Sequence, residues 1–184
     1  MQAISRGAMM AERLPTYPPD GALDGHRLFN TPLECGFRLL FALDACRPCS
    51  ADLQRLVSYD YLLVHSGDIA GGPPSLHPPV PFRGSEWIVK RDLVRSGMSL
   101  VFARDLVLKQ LTPRGIIFSG SALTAAFVSL LKTPYANALR DRAEWLSKEF
   151  GAASDEDLQE FMYANIGKWG AEFDRISALQ DLQL

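Results

Sequence analysis

Asp105-Leu106-Val107-Leu108-Lys109-Gln110-Leu111-Thr112-Pro113-Arg114-Gly115-Ile116-Ile117-Phe118 is the stretch on which the reading of the fold turns. Two β-prone runs flank Thr112-Pro113-Arg114-Gly115. Proline suits the second position of a turn and glycine its last, so the stretch predicts a β-hairpin.

Three helical segments precede it. Immediately upstream, Ser85 can cap a helix running from Glu86 to about Val101. Its core candidates are Ile88, Leu93, Val94 and Leu100, and Gly97 either interrupts it or packs it closely. Before that, Ser50 starts a helix with Asp52 just inside, whose stripe is Leu53, Leu56, Val57, Tyr61 and Val64. It ends near His65-Ser66-Gly67. The first helix is capped by Asn30 or Thr31, with Pro32 and Glu34 in the opening turn. Its stripe is Leu33, Phe37, Leu40, Phe41 and Ala45, and Pro48 stops it. Three helices and then a hairpin is the order of a winged helix-turn-helix domain.

Downstream, residues 123–150 predict a long helix with a bend at Thr133-Pro134, closed by Gly151. Ser154-Asp155-Glu156-Asp157 opens a last helix carrying Leu158, Phe161, Met162, Ile166, Trp169 and Phe173. The expected fold is therefore mainly α: a winged helix-turn-helix core over residues 28–121 and two C-terminal helices over 122–184. Residues 1–27 hold Pro15, Pro18, Pro19, Gly21 and Gly25 with little apolar periodicity, and read as a flexible leader. Residues 66–84 form a second proline- and glycine-rich stretch, Gly71-Gly72-Pro73-Pro74 and then Pro78-Pro79-Val80-Pro81. Loops of this length inside a small domain are uncommon and often functional.

Composition narrows the classes of function. A chain of 184 residues, 47% hydrophobic, can bury a core of its own. Its net charge of −2 counts against a free-standing nucleic-acid binder. The three cysteines, Cys35, Cys46 and Cys49, are too clustered for a disulfide framework. No apolar run reaches the length of a membrane span, and the expected location is the cytoplasm.

Leu53-Gln54-Arg55-Leu56-Val57, Asp60-Tyr61-Leu62-Leu63-Val64-His65-Ser66-Gly67-Asp68 and Gly72-Pro73-Pro74-Ser75-Leu76-His77-Pro78 resemble the middle component of bacterial ABC three-component systems, specifically its second group. So do Arg91-Asp92-Leu93 with Gly97, and residues 134–145. The resemblance runs from about Phe29 to Trp169. It implies a three-gene conflict system of Lamassu-like, anti-phage type, with a coiled-coil ABC ATPase of the chromosome-maintenance or break-repair kind and a variable effector. The middle component would connect the two. No catalytic residues come with the resemblance.

The chemically suggestive groupings fall short of complete sites. Asp60, His65, Asp68 and His77 could hold a metal or move protons, but capping and loop fixation explain them as well. Asp60 and His65 lie about 140° apart on a helix. Cys46-x-x-Cys49 lacks the second ligand pair that would close a zinc site. Ser66 has no nucleophile-elbow pattern around it, and Gly71-Gly72 lacks the Lys-Ser/Thr of a phosphate loop. The expectation is a non-catalytic chain with neither metal nor cofactor.

Two surfaces remain as binding candidates. Leu76, His77, Pro78, Pro79 and Phe82 on the stiff loop form the candidate partner-binding surface. Arg83, Lys90, Arg91, Arg95, Arg104 and Arg114 form a candidate DNA-proximal set, opposed locally by Glu86, Asp92 and Asp105. A winged-helix transcriptional regulator, binding DNA directly, is the rival to an accessory subunit.

Overall fold

A computed structural model describes residues 30–170. The leader expected over 1–27 and Phe173 lie outside the described residues. Within the described residues, seven helices and three strands follow one another along the chain. They are α1 (Pro32–Ala45), β1 (Ala51–Asp52), α2 (Leu53–Val64), α3 (Gly84–Val89), α4 (Arg91–Phe102), β2 (Val107–Thr112), β3 (Gly115–Gly120), α5 (Ala122–Leu130), α6 (Pro134–Phe150) and α7 (Asp155–Ile166). The fold is mainly helical, with one small antiparallel sheet in the order β1-β3-β2.

The hairpin forms where the turn chemistry places it. Val107 pairs with Gly120 at its open end and Thr112 with Gly115 at the turn. Thr112 Oγ1 donates to the Gly115 carbonyl at 2.8 Å, and Gly115 takes a φ of 120° that a side chain would resist. The third strand has no periodicity to announce it. Ala51 and Asp52 pair with Phe118 and Ile117, and Asp52 then caps α2 by accepting from Arg55 N at 2.7 Å. The helix thus starts at Leu53, not at Ser50.

Two expected helices are each divided in two. Lys90 separates α3 from α4, which lets α3 seat Trp87 on α2 while α4 crosses α1. Trp87 Nε1 donates to Ser58 Oγ at 2.9 Å. The bend expected at Thr133-Pro134 is a full break. Thr133 Oγ1 accepts from Ala136 N and Pro134 opens the first turn, so the dipeptide starts α6 anew.

α1 and α2 are the centre of the molecule. From Cys35 to Leu43 every residue but Phe37 is buried, and from Arg55 to Val64 every residue is. α4, α5 and α6 pack around α1, and α7 lies on α2. α1 and α4 meet backbone to backbone. A methyl on Gly97 would lie 2.5 Å from the Pro32 carbonyl and 2.8 Å from Gly36 N. The glycine read as either an interruption or a close contact is the contact.

The C-terminal helices are held by aromatic and ionic packing. Trp169 stacks on Tyr61 with ring centroids 4.7 Å apart, and Phe161 packs between Trp169 and Phe150. Arg55, 7% exposed, donates to Asp155 and to Tyr59 Oη. Phe150, Phe161 and Trp169 therefore serve the core, whereas Tyr163 is exposed.

A cavity beneath the proline loop as candidate functional site

The loop after α2 is stiffened by proline and also tied down. Leu76 N and His77 N both donate to the Val64 carbonyl, at 2.9 and 3.1 Å. Gly67 N donates to Ser75 Oγ, and Arg142 Nε of α6 donates to the Pro74 carbonyl at 3.0 Å. A further contact joins the loop to α6, with His77 Nε2 3.4 Å from Tyr135 Oη.

Between this loop, α1 and α6 lies a cavity of about 750 Å³. Phe37, Arg38 and Phe41 line it from α1, Leu76, His77, Pro78 and Val80 from the loop, and Tyr135, Ala136 and Leu139 from α6. His65 and Glu86 also line it, as do Asn30 and Glu34 at the start of α1 and Leu131 and Thr133 before α6. Its volume is in the range of small-ligand sites, which are mostly apolar with a few placed polar groups.

The polar groups form one buried, charge-balanced network. Arg38 donates to both oxygens of Asp60, from Nε at 2.8 Å and from Nη2 at 3.2 Å, with 3% and 0% of the two residues exposed. Lys90 Nζ reaches Asp60 at 3.5 Å and Glu86 at 2.8 Å, and His65 Nε2 lies 3.9 Å from Glu86. Burial opposes ionisation of Asp60, but Arg38 and Lys90 outweigh it and hold its carboxyl below the usual range. The imidazole of His65 and the ammonium of Lys90 bring Glu86 down to about 2. Burial, reinforced by the Arg38 charge, lowers His77 to about 4, so its ring is neutral at pH 7.

The four residues that invited a metal or acid–base reading fall into separate partnerships. Asp68 accepts from Tyr61 Oη at 2.7 Å and from both nitrogens of the Arg83 fork. Asp60 faces Arg38 and Lys90. Only the rings of His65 and His77 come together, edge to face at 6.0 Å. Among the described residues no group of His, Cys, Asp or Glu is arranged to hold a metal ion. Cys35 and Cys46 are buried and Cys49 is exposed, all three as free thiols.

The candidate binding residues divide in the same way. Leu76 is half-buried against the core and lines the cavity with His77 and Pro78, whereas Pro79 and Phe82 face solvent. Phe82 is 62% exposed and held at a φ of +52°. Of the basic set, Arg83 and Lys90 are buried in the ion pairs above and do not belong to an outward surface. Arg91, Arg95, Arg104 and Arg114 are exposed. Arg91 donates to Gln54 Oε1 at 2.8 Å, Arg95 pairs with Asp92 at 2.8 Å, and Arg104 donates to the Leu100 carbonyl. Sequence reasoning missed Arg38. Its signal was a lone cation inside the apolar run Phe37-Arg38-Leu39-Leu40-Phe41.

The described residues thus form a small, mainly helical fold with a mostly apolar pocket beside internally paired buried charges. The profile of the ABC-three component (ABC-3C) system Middle Component 2 matches residues 28–172, and the chain belongs to that family. No curated protein and no solved structure matches it. Among the described residues no helix is long and apolar enough to cross a membrane.

Proposed function

We propose that the chain is a non-catalytic adaptor of a coiled-coil ABC ATPase complex in bacterial anti-phage or anti-plasmid defence, linking the ATPase to its effector in the cytoplasm. The observation that carries the reading is family membership across residues 28–172, which makes the chain a middle component and so a partner of the other two. The solvent side of the proline loop supports it. Pro78, Pro79 and Phe82 are exposed, and an aromatic residue in the left-handed region is a strained feature of the kind that collects at binding sites.

The core supports a winged helix-turn-helix assignment. A short strand between the first two helices, a hairpin after the helices, and the order β1-β3-β2 are the ingredients of that fold, with α4 as its recognition helix. The outward Arg91, Arg95, Arg104 and Arg114 favour a DNA contact within the assembled complex. The same four arginines are what a transcriptional regulator would use, and Asp92 beside Arg95 weakens that alternative.

Purification of the tagged chain expressed with its native operon tests the adaptor reading. The ATPase and the effector are expected to co-purify, and Phe82→Ser should reduce recovery of the ATPase without lowering Tm. Normal recovery with Phe82→Ser would remove the loop from the interface. Failure of either partner to co-purify with the unaltered chain would refute the linking role.

A further inference from the structure

The cavity has walls suited to something other than a protein side of an interface. Its lining is apolar and aromatic on three elements, and its volume of about 750 Å³ exceeds what a few buried waters occupy. The loop wall is fixed before any ligand arrives, because two N–H groups share the Val64 carbonyl and Arg142 holds Pro74. The His77–Tyr135 contact also ties the loop to α6 across a pocket that stays partly open to solvent.

Charge decides the class of molecule. Arg38 and Lys90 are matched by Asp60 and Glu86 inside the network. An anionic ligand would find Arg38 already paired with Asp60 and would face the Glu34 carboxylate in the lining, so its charge would lack a counter-ion, at a cost of several kcal/mol. An uncharged ligand meets no such cost, and the neutral His77 ring and Tyr135 hydroxyl can exchange hydrogen bonds with it.

We propose that the cavity between α1, α6 and the proline loop is a receptor site for a small, uncharged, largely apolar molecule. This goes beyond the adaptor reading and does not depend on it. The site would make the subunit a sensor as well as a connector.

The test compares two dyes with nearly the same ring body on the purified full-length chain. N-phenyl-1-naphthylamine is neutral, and 1-anilinonaphthalene-8-sulfonate carries one negative charge. The neutral dye should bind saturably, one per chain, and raise Tm. The sulfonate should bind ~10-fold more weakly or worse, equivalent to ~1.4 kcal/mol. Val80→Trp, at the exposed rim, should lower the neutral dye's affinity by a similar ~10-fold factor without disturbing folding. Ala136→Phe, deeper in the wall, should do the same if it folds. Leu111→Lys with Leu130→Lys, at exposed apolar positions on β2 and α5, should leave affinity unchanged. Equal binding of both dyes, unsaturable binding, or indifference to Val80→Trp would overturn the proposal. Displacement of the neutral dye by the co-purified ATPase would also overturn it, by assigning the chamber to a partner's apolar segment.

Discussion

At the scale of single residues, two positions carry unusual weight. Gly97 sits where any side chain meets backbone atoms of Pro32 and Gly36, which have no rotamer to turn aside. Alanine would gain up to ~1 kcal/mol of helix propensity, yet overpacking costs ~1–3 kcal/mol, and immovable neighbours put the cost at the upper end. Gly97→Ala is therefore expected to destabilise, as a lower denaturation midpoint at unchanged slope. Asp60 is fully buried against Arg38 and Lys90. Asp60→Asn leaves Arg38 unmatched, Lys90 keeping Glu86, and should cost ~3–5 kcal/mol. Acid stability follows from the same network. Glu86 ionises at about 2 instead of 4.5, so its contribution is complete above 4.5 and is lost as pH falls from there towards 2. His77 is held neutral down to about 4 instead of 6.5, so its contribution is lost between those values as pH falls. Tm measured against pH should decline in two stages. Glu86→Gln should flatten the lower stage and His77→Ala the upper.

Among the elements, termini were more legible than packing partners. The cap of α1 was open between Asn30 and Thr31; Thr31 takes it and closes a capping box with Glu34, Thr31 N donating to Glu34 Oε2 at 2.8 Å. Thr133-Pro134 was equally visible, but a proline that bends a helix and one that starts a helix look alike until the capping threonine is seen to accept from Ala136 N. β1 was invisible because two residues carry no period, and their pairing with Phe118 and Ile117 is a long-range contact. The α3–α4 break was hidden for a related reason: Lys90 turns inward to partners on α2 and α3, and nothing in its neighbours along the chain says so. At the start of α5, Ser121 Oγ accepts from Leu123 N and donates to the Asp105 carbonyl, so one hydroxyl joins helix and hairpin. Ser121→Ala should cost ~1 kcal/mol or somewhat more, with hydrogen exchange rising at the N-terminus of α5 and at the base of β2 together.

For the whole molecule, the net charge of −2 argues against an overall basic face, and the structure thins the candidate basic set by burying Arg83 and Lys90. Reversal of the remaining pair on α4, Arg91→Glu with Arg95→Glu, should weaken DNA association of the assembled complex. The slope of log affinity against log salt should become shallower by about two, one for each phosphate no longer neutralised. The isolated chain should bind DNA weakly and without sequence preference, and tight binding to its own promoter would favour the regulator. The purified chain is expected neither to hydrolyse ATP nor to cut DNA. Turnover that vanished with His65→Ala while the fold persisted would contradict that. The chamber could not be read from the sequence, since its walls come from segments as far apart as Phe37, Val80 and Leu139. Only the loop that forms one wall stood out, through its prolines.

The backbone seat between Gly36 and Gly97 has a mechanical consequence. Helices that touch through side chains can absorb a small displacement by rotamer changes, but a joint made of main-chain atoms has no such slack. A shift of α1 would therefore be expected to carry α4 with it. One face of α1 borders the chamber, and α4 carries Arg91 and Arg95 outward. The two helices are thus expected to move as one body, so that a displacement of the chamber face of α1 would carry Arg91 and Arg95 with it.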